Sequence, residues 1–257
     1  MGKADAPIAV FDSGLGGVSV LREMIKEMPY EDMYYFGDSI NAPYGTKSTE
    51  QVRSLTISHV ENFMEMGAKG VVVACNTATS AAVRRLREMY PTLPLVGIEP
   101  AVKPAVERFP QGNILVMATP MTIREAKLHH LIRRFGGEAN VIPLACPGLM
   151  DFVEAGNIDS PEIYGFLRDI LEPYQGQLDG VVLGCTHYPF VRRAIADILG
   201  EKVAIFDGGP GTSKEIKRRL EIAGLLRKDV QRTGKIIFEN SDNSQQKRDL
   251  FWKLLNY

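Results

Sequence analysis

Short hydrophobic runs alternate with amphipathic stretches along most of the chain. The runs are rich in β-branched residues, as buried strands are, and the amphipathic stretches carry apolar residues three and four positions apart, as helices do. Strands that alternate with helices form parallel sheets with right-handed crossovers, so we predict an α/β fold. The predicted strands are 8–11, 34–36, 71–74, 95–98, 114–117, 141–144, 181–183 and 203–206, and the predicted helices are 18–28, 49–66 with Thr49 as its cap, 77–89, 126–132, 150–154, 161–173 and 190–199.

The strand pattern occurs twice. The strands that start at residues 8, 34, 71 and 95 recur at 114, 141, 181 and 203, a near-constant offset that indicates two copies of one β/α unit. We therefore predict two similar domains with parallel sheets flanked by helices, related by a pseudo-twofold axis, with an active-site cleft between them. The predicted domains are residues 1–98 plus 208–257 and residues 99–207.

The last fifty residues have no counterpart in the first copy of the repeat. Their pattern predicts a helix at 212–220, a strand at 235–238 and a helix at 248–255. We expect this returning segment to pack on the first domain and to tie the two domains together.

Candidate chemistry follows the strand at 181–183, where Cys185, Thr186 and His187 occur in succession. In open α/β sheets, ligands bind beyond the carboxyl ends of the strands. In an extended chain residues i and i+2 point to the same side, so Cys185 and His187 can share one wall of a pocket. An imidazolium next to a thiol favours the reactive thiolate. The alternative is a buried cysteine followed by a capping threonine.

The strand at 71–74 is followed by a similar group, Cys75, Asn76 and Thr77. Two thiols at matching strand ends suit the inversion of a carbon centre, in which one removes a proton and the other returns a proton to the opposite face. Hydrogen bonds would then stabilise the carbanion. No lysine lies in a motif suited to a pyridoxal Schiff base and no metal-ligand cluster appears, so neither cofactor nor metal is expected.

The turn after the first strand contains Asp12 and Ser13. Its glycine spacing departs from Gly-x-Gly-x-x-Gly, so a tight turn that presents both side chains to a ligand is favoured over a nucleotide site. A helix N-terminus at this turn could hold a carboxylate, or Asp12 could simply cap the helix. Cys146 is interpreted as structural, and the remaining histidines, His59, His129 and His130, as surface or helix-face residues.

Composition narrows the possible partners and compartment. The chain has 257 residues, 45% of them hydrophobic, and a net charge of −1, which gives no reason to expect nucleic acid or a membrane surface as partner. The residues before the first strand have no apolar h-region, so a signal peptide is not expected, and no apolar run approaches the ~18 residues of a membrane span. Three cysteines without a Cys-x-x-Cys pair argue against a disulfide framework or a zinc site, so a cytoplasmic protein is expected.

The chain resembles the bacterial glutamate racemases, within the aspartate/glutamate racemase family, from residue 8 to about residue 220. The segments that carry the resemblance are Asp12-Ser13-Gly14, Pro43-Tyr44-Gly45-Thr46, Ala74-Cys75-Asn76-Thr77-Ala78 and Gly184-Cys185-Thr186-His187-Tyr188-Pro189. The resemblance implies cofactor-independent interconversion of L- and D-glutamate, which supplies D-glutamate for peptidoglycan synthesis. It also implies a homodimer. The short N-terminus lacks the extension of family members that a cell-wall precursor activates, so that regulation is not expected.

The resemblance also implies roles for particular residues. Cys75 would handle the α-proton of the D-isomer, assisted by Asp12, and Cys185 that of the L-isomer, assisted by His187 with Glu154. The implied substrate contacts are Asp12, Ser13, Pro43, Tyr44, Gly45, Asn76, Thr77, Thr119, Thr122, Thr186 and His187.

Other functions remain open at this point. Aspartate racemases share the fold and the paired cysteines, so the length of the substrate rests on the resemblance. A thiol hydrolase would leave the second cysteine unexplained. An amino-acid-binding protein would need no thiols, and such proteins are usually exported.

Overall fold

The computed structural model describes residues 3–257 and divides into two compact units. One unit contains the chain up to Glu99 together with Gly209–Tyr257, and the other is Pro100–Gly208. The strands are β1 Ile8–Asp12, β2 Met33–Gly37, β3 Gly70–Val73, β4 Leu95–Gly97, β5 Asn113–Ala118, β6 Asn140–Ala145, β7 Gly180–Leu183, β8 Ala204–Asp207 and β9 Ile236–Asn240. The helices are α1 Val18–Glu27, α2 Thr49–Glu65, α3 Asn76–Met89, α4 Val102–Arg108, α5 Pro120–Arg124, α6 Ala126–Phe135, α7 Leu149–Glu154, α8 Pro161–Leu171, α9 Arg192–Leu199, α10 Gly209–Ile222 and α11 Gln245–Leu255.

The first unit is built on a five-stranded parallel sheet in the order β4-β3-β1-β2-β9. The central strand β1 is buried along its whole length, and Ile8 pairs with Met33 on one side and with Gly70 on the other. A strand buried on both faces needs a continuous apolar sequence, which explains why β1 and β3 show no polar alternation.

The second unit is built on a four-stranded parallel sheet in the order β6-β5-β7-β8. This order repeats the arrangement of β2, β1, β3 and β4 in the first sheet. The predicted α/β class is therefore confirmed, and the repeat inferred from the strand offsets is visible in the topology of the two sheets.

The C-terminal segment adds a strand and a helix to the first unit. Strand β9 pairs in parallel with β2, and helix α10 packs against α1. The segment is also joined to the start of β2 by ion pairs, in which buried Arg227 contacts Glu31 and Asp32. Burying these charges is tolerable because each has an oppositely charged partner.

Several predicted boundaries are wrong for local reasons. The N-cap of α2 is Ser48, whose side chain exchanges hydrogen bonds with Gln51 in a capping box, so Thr49 is already helical. The predicted helix at 190–199 begins as a 3₁₀ turn, Tyr188–Val191, and becomes α-helical only at Arg192. Helix α4 was not predicted, because Pro104 within it usually signals the end of a helix.

Within residues 3–257, no helix combines the length and the apolar character that a membrane crossing requires.

Candidate active site

The predicted site residues all lie at or beyond the carboxyl ends of strands, and they form one group in each unit. The group in the first unit is Asp12, Ser13, Pro43, Tyr44, Gly45, Cys75, Asn76 and Thr77. The group in the second unit is Thr119, Thr122, Glu154, Cys185, Thr186 and His187. Apart from Pro43 and Glu154, which are half-buried, these residues are buried.

Cys75 is the N-cap of helix α3. Its Sγ lies 3.4 Å from the backbone nitrogen of Ala78, which donates to it, and 3.4 Å from the Oγ of Ser13. The positive end of the helix dipole stabilises a negative charge at this position. The N-terminus of α3 is therefore one group that would favour a thiolate at Cys75.

Asp12 ends strand β1 and closes the turn that follows. Its carboxylate accepts a hydrogen bond from the backbone nitrogen of Gly14 at 3.0 Å, and the side chain is completely buried. Asp12 does not cap α1, whose N-cap is Gly17. A side chain at Gly17 would place its Cβ 2.6 Å from the Cβ of Asp12, so a glycine is required for the close approach.

Tyr44 begins the 3₁₀ turn Tyr44–Thr46, which contacts helix α3. Its hydroxyl donates to Asp38 at 2.6 Å. Burial raises the pKa of the Tyr44 phenol, and the neighbouring charges of Asp38, Cys75 and Asp12 raise it further, so Tyr44 stays a neutral donor.

Cys185, His187 and Glu154 form a chain of contacts in the second unit. The Nδ1 of His187 lies 3.6 Å from the Sγ of Cys185, and its Nε2 lies 2.8 Å from the Oε1 of Glu154. Burial alone lowers the pKa of His187, but the hydrogen bonds and charges of Cys185 and Glu154 outweigh it and raise the pKa well above 6.5. His187 is therefore a protonated imidazolium, and it lies beside the sulfur of Cys185.

Other polar side chains of the second unit have their own partners. Thr119 caps α5, and its hydroxyl donates to that of Thr122 at 3.0 Å. The hydroxyl of Tyr188 donates to the backbone oxygen of Cys146 at 3.2 Å. Burial and the nearby Cys185 raise the pKa of Cys146 to about 12, which keeps this thiol protonated.

Three side chains close to the predicted residues were not predicted as part of the site. Tyr188 adjoins a predicted residue in the sequence. Asp38 contacts Tyr44 and His59, and its backbone nitrogen donates to the backbone oxygen of Asp12 at 3.0 Å. His59, interpreted as a surface or helix-face residue, is half-buried on α2. Asp38 directly follows the end of β2, and a carboxylate at a strand end could have been predicted as part of the site. Within residues 3–257, no group of three or more His, Cys, Asp or Glu side chains is arranged to hold a metal ion.

Comparison with known proteins agrees with this geometry. Residues 13–212 match the family described as Asp/Glu/Hydantoin racemase. A glutamate racemase of Clostridium perfringens (strain SM101 / Type A) is 47% identical over 252 residues, which is 98% of this chain and 96% of the relative.

Solved structures give the same result. The RacE1 isoform of glutamate racemase from Bacillus anthracis superposes with a TM-score of 0.86 at 30% identity, over 98% of this chain and 94% of that one. The glutamate racemase of Francisella tularensis in complex with D-glutamate superposes with a TM-score of 0.84 at 26% identity, over 99% of this chain and 95% of that one. The chain therefore belongs to the Asp/Glu/Hydantoin racemase family and is an isomerase.

Proposed function

We propose that this enzyme interconverts L- and D-glutamate by two-base proton transfer between Cys75, Cys185 and the α-carbon. The observation that carries the proposal is the presence of a buried cysteine just after the third strand of each sheet, each with its sulfur in contact with a hydrogen-bonding group. A mechanism with one base, or a single nucleophile, would leave one of the two thiols without a role.

In the direction from L- to D-glutamate, the Cys185 thiolate removes the α-proton and its electron pair remains on the carbon. The Cys75 thiol then donates its proton to the opposite face. Cys185 ends as the thiol and Cys75 as the thiolate, and exchange with solvent restores the starting state. The reverse reaction uses the same steps with the two cysteines exchanged.

The proposed chemistry needs no cofactor, because hydrogen bonds at the strand ends can stabilise the developing charge. Ser13, Thr77, Thr119, Thr122 and Thr186 supply buried hydroxyls for the substrate carboxylates. The side-chain oxygen of Asn76 is buried, and no partner for it exists within the described residues, so it can accept a hydrogen bond from the substrate ammonium group. The other predicted contacts, Asp12, Pro43, Tyr44, Gly45 and His187, are part of the same proposal.

Glutamate is favoured over aspartate because the relatives with 46–47% identity over nearly the full chain are glutamate racemases. On the same basis we propose a role in supplying D-glutamate for peptidoglycan, a cytoplasmic location and a homodimer. We further propose that the two compact units are the two domains of the chain.

The decisive test is the reaction of pure L-glutamate in heavy water, stopped at low conversion. Cys75 exchanges with solvent before it reacts, so D-glutamate should carry α-deuterium from its first appearance while the remaining L-glutamate stays protiated. Early D-glutamate that keeps substantial α-hydrogen would contradict the paired thiols. A parallel reaction with L-aspartate tests the substrate, since faster turnover of aspartate would overturn the assignment of glutamate.

A further inference from the structure

Asp38 is a fully buried carboxylate that the proposed mechanism does not use. It follows strand β2 and accepts hydrogen bonds from the hydroxyl of Tyr44 at 2.6 Å, from the amide of Asn41 at 3.0 Å and from His59, whose Nε2 lies 3.1 Å from its Oδ2. A buried charge with this many partners is expensive to form and costly to disturb.

His59 contacts the same carboxylate oxygen of Asp38 as Tyr44 does, Oδ2. It lies on helix α2 with its ring packed against two aromatic side chains, 5.2 Å from Phe11 and 4.8 Å from Phe36 between ring centroids. Because Nε2 faces Asp38 while the ring faces β1 and β2, His59 fixes the carboxylate relative to the central strands of the sheet.

Tyr44 connects this pair to the site. Its ring lies 6.2 Å from that of Phe11, its turn contacts the helix that begins just after Cys75, and its phenol is close enough to feel the charges of Cys75 and Asp12. Tyr44 and Gly45 also belong to the proposed substrate contacts. A shift of Tyr44 would therefore change both the packing of its turn against α3 and the position of a proposed binding segment.

We propose that Asp38 and His59 are positioning residues that fix Tyr44 and the turn Tyr44–Thr46 beside Cys75, and that they thereby set the affinity for the substrate. The part about affinity rests on the proposed function, whereas the part about Cys75 does not. Neither residue touches the reacting carbon, so the effect on binding should exceed the effect on the chemical step.

The test compares two variants of His59. His59→Leu removes the hydrogen bond to Asp38 and replaces the ring with an apolar side chain that can still pack on Phe11 and Phe36, whereas His59→Gln has an amide that can replace the Nε2 donor. Tyr44→Phe is a second variant that removes only the hydroxyl. His129→Leu, on an exposed position of α6, is the matched control. Each protein is treated with iodoacetamide, the labelling rates of Cys75 and Cys185 are measured by peptide mass spectrometry, and KM and kcat for glutamate are determined.

His59→Leu and Tyr44→Phe should raise the Cys75-to-Cys185 labelling ratio and KM about tenfold each, with a smaller change in kcat, as expected for one lost hydrogen bond to a charged group. His59→Gln should restore both values, and His129→Leu should match the parent. An unchanged ratio in both His59→Leu and Tyr44→Phe, or an equal change in His59→Gln, would overturn the proposal, as would a changed ratio with unchanged KM. If the parent does not racemise glutamate, the proposed function fails while the labelling ratio still decides the positioning role.

Discussion

Cys75 and Cys185 occupy equivalent places after the third strand of each sheet, yet their surroundings differ. The Sγ of Cys75 receives a backbone N–H from a helix N-terminus and lies beside a serine hydroxyl, and both of these groups are neutral. Cys185 lies beside a histidine whose second nitrogen contacts Glu154. One topology therefore places a helix N-terminus beside the thiol in one unit and a histidine in contact with a glutamate beside the thiol in the other.

The two thiols should differ in their sensitivity to substitution of a neighbouring side chain. A helix N-terminus is a property of several backbone groups, and no single side-chain substitution removes it. The imidazolium of His187 is one side chain, and its raised pKa depends on Cys185 and Glu154. The proton transfer assigned to Cys185 should be the more sensitive of the two to point mutation.

The largest expected effect comes from replacing either thiol. Cys75→Ser and Cys185→Ser should each lower kcat by roughly 10³-fold or more, because each face of the carbon needs its own acid and base. Serine is a good N-cap, so Cys75→Ser should keep α3 and the thermal stability of the protein. Racemisation assays and thermal unfolding measure the two effects, and near-parental activity in either variant would remove the basis for comparing the two thiols.

The next largest effect distinguishes the neighbours of Cys185 from those of Cys75. His187→Asn should lower kcat by about 10²-fold, because Cys185 loses the neighbouring positive charge, whereas Ser13→Ala should lower it by less than about tenfold, because the helix N-terminus still supports Cys75. The losses should also differ between the L-to-D and D-to-L directions in kcat, since the ratio of kcat/KM values is fixed by the equilibrium. Equal losses in the two variants would show that the Ser13 hydroxyl matters as much to Cys75 as the His187 side chain matters to Cys185.

Much of this comparison was accessible from the sequence. The two copies of strand, small residue and cysteine are local patterns, and parallel topology places their ends at one edge of each sheet. The strand offsets likewise predicted the repeat that the two sheet orders display.

The side chains and backbone groups around each thiol were harder to predict from the sequence. His187 is two residues from Cys185, and the sequence predicted that the two side chains share one side of the chain, as their contact shows. The capping position of Cys75, in contrast, depends on where helix α3 begins, one residue earlier than predicted. The interaction of Asp38 with His59 joins residues 21 positions apart on a strand end and a helix. The helical pattern predicts on which side of α2 His59 lies. It does not predict the contact with the buried carboxylate of Asp38, because that contact depends on how the helix packs on the sheet.

The contribution of Asp38 to the stability of the first unit can be measured at acid pH, where its carboxylate becomes protonated. Burial alone would raise the pKa of this carboxyl, but hydrogen bonds from His59, Tyr44 and Asn41 outweigh it and lower the pKa from 3.8 to about 2. Because the folded-state pKa is the lower one, ionised Asp38 stabilises the fold above pH 4 by about 2 kcal/mol, and this contribution is lost as pH falls toward 2.

Urea unfolding of Asp38→Asn and of the parent should therefore differ most at pH 7, and the difference should shrink between about pH 4 and pH 2. Asp169→Asn, at an exposed position of α8, serves as the control and should follow the parent at every pH. A difference between Asp38→Asn and the parent that does not depend on pH would mean that the charge of Asp38 contributes nothing to folding.

The smallest expected effect comes from a matched pair of tyrosines, one in each unit. The hydroxyl of Tyr35 donates to the backbone oxygen of Gly14 at 2.9 Å, beside Asp12 and Ser13, and that of Tyr188 donates to the backbone oxygen of Cys146 at 3.2 Å. Tyr35→Phe and Tyr188→Phe keep the rings and leave one buried carbonyl without its donor, so each should lower the free energy of unfolding by about 1 kcal/mol.

The two variants should separate in thiol labelling, because each hydrogen bond holds the segment beside only one of the cysteines. Tyr35→Phe should raise the iodoacetamide labelling rate of Cys75 by less than about tenfold and leave Cys185 unchanged, and Tyr188→Phe should do the reverse. Because both variants remove the same chemical group at similar burial, a difference in stability between them cannot account for a crossed pattern of labelling. If both variants changed both thiols equally, the two surroundings would respond as one cooperative site, and the distinction between dipole and charge support would have to be sought in kcat alone.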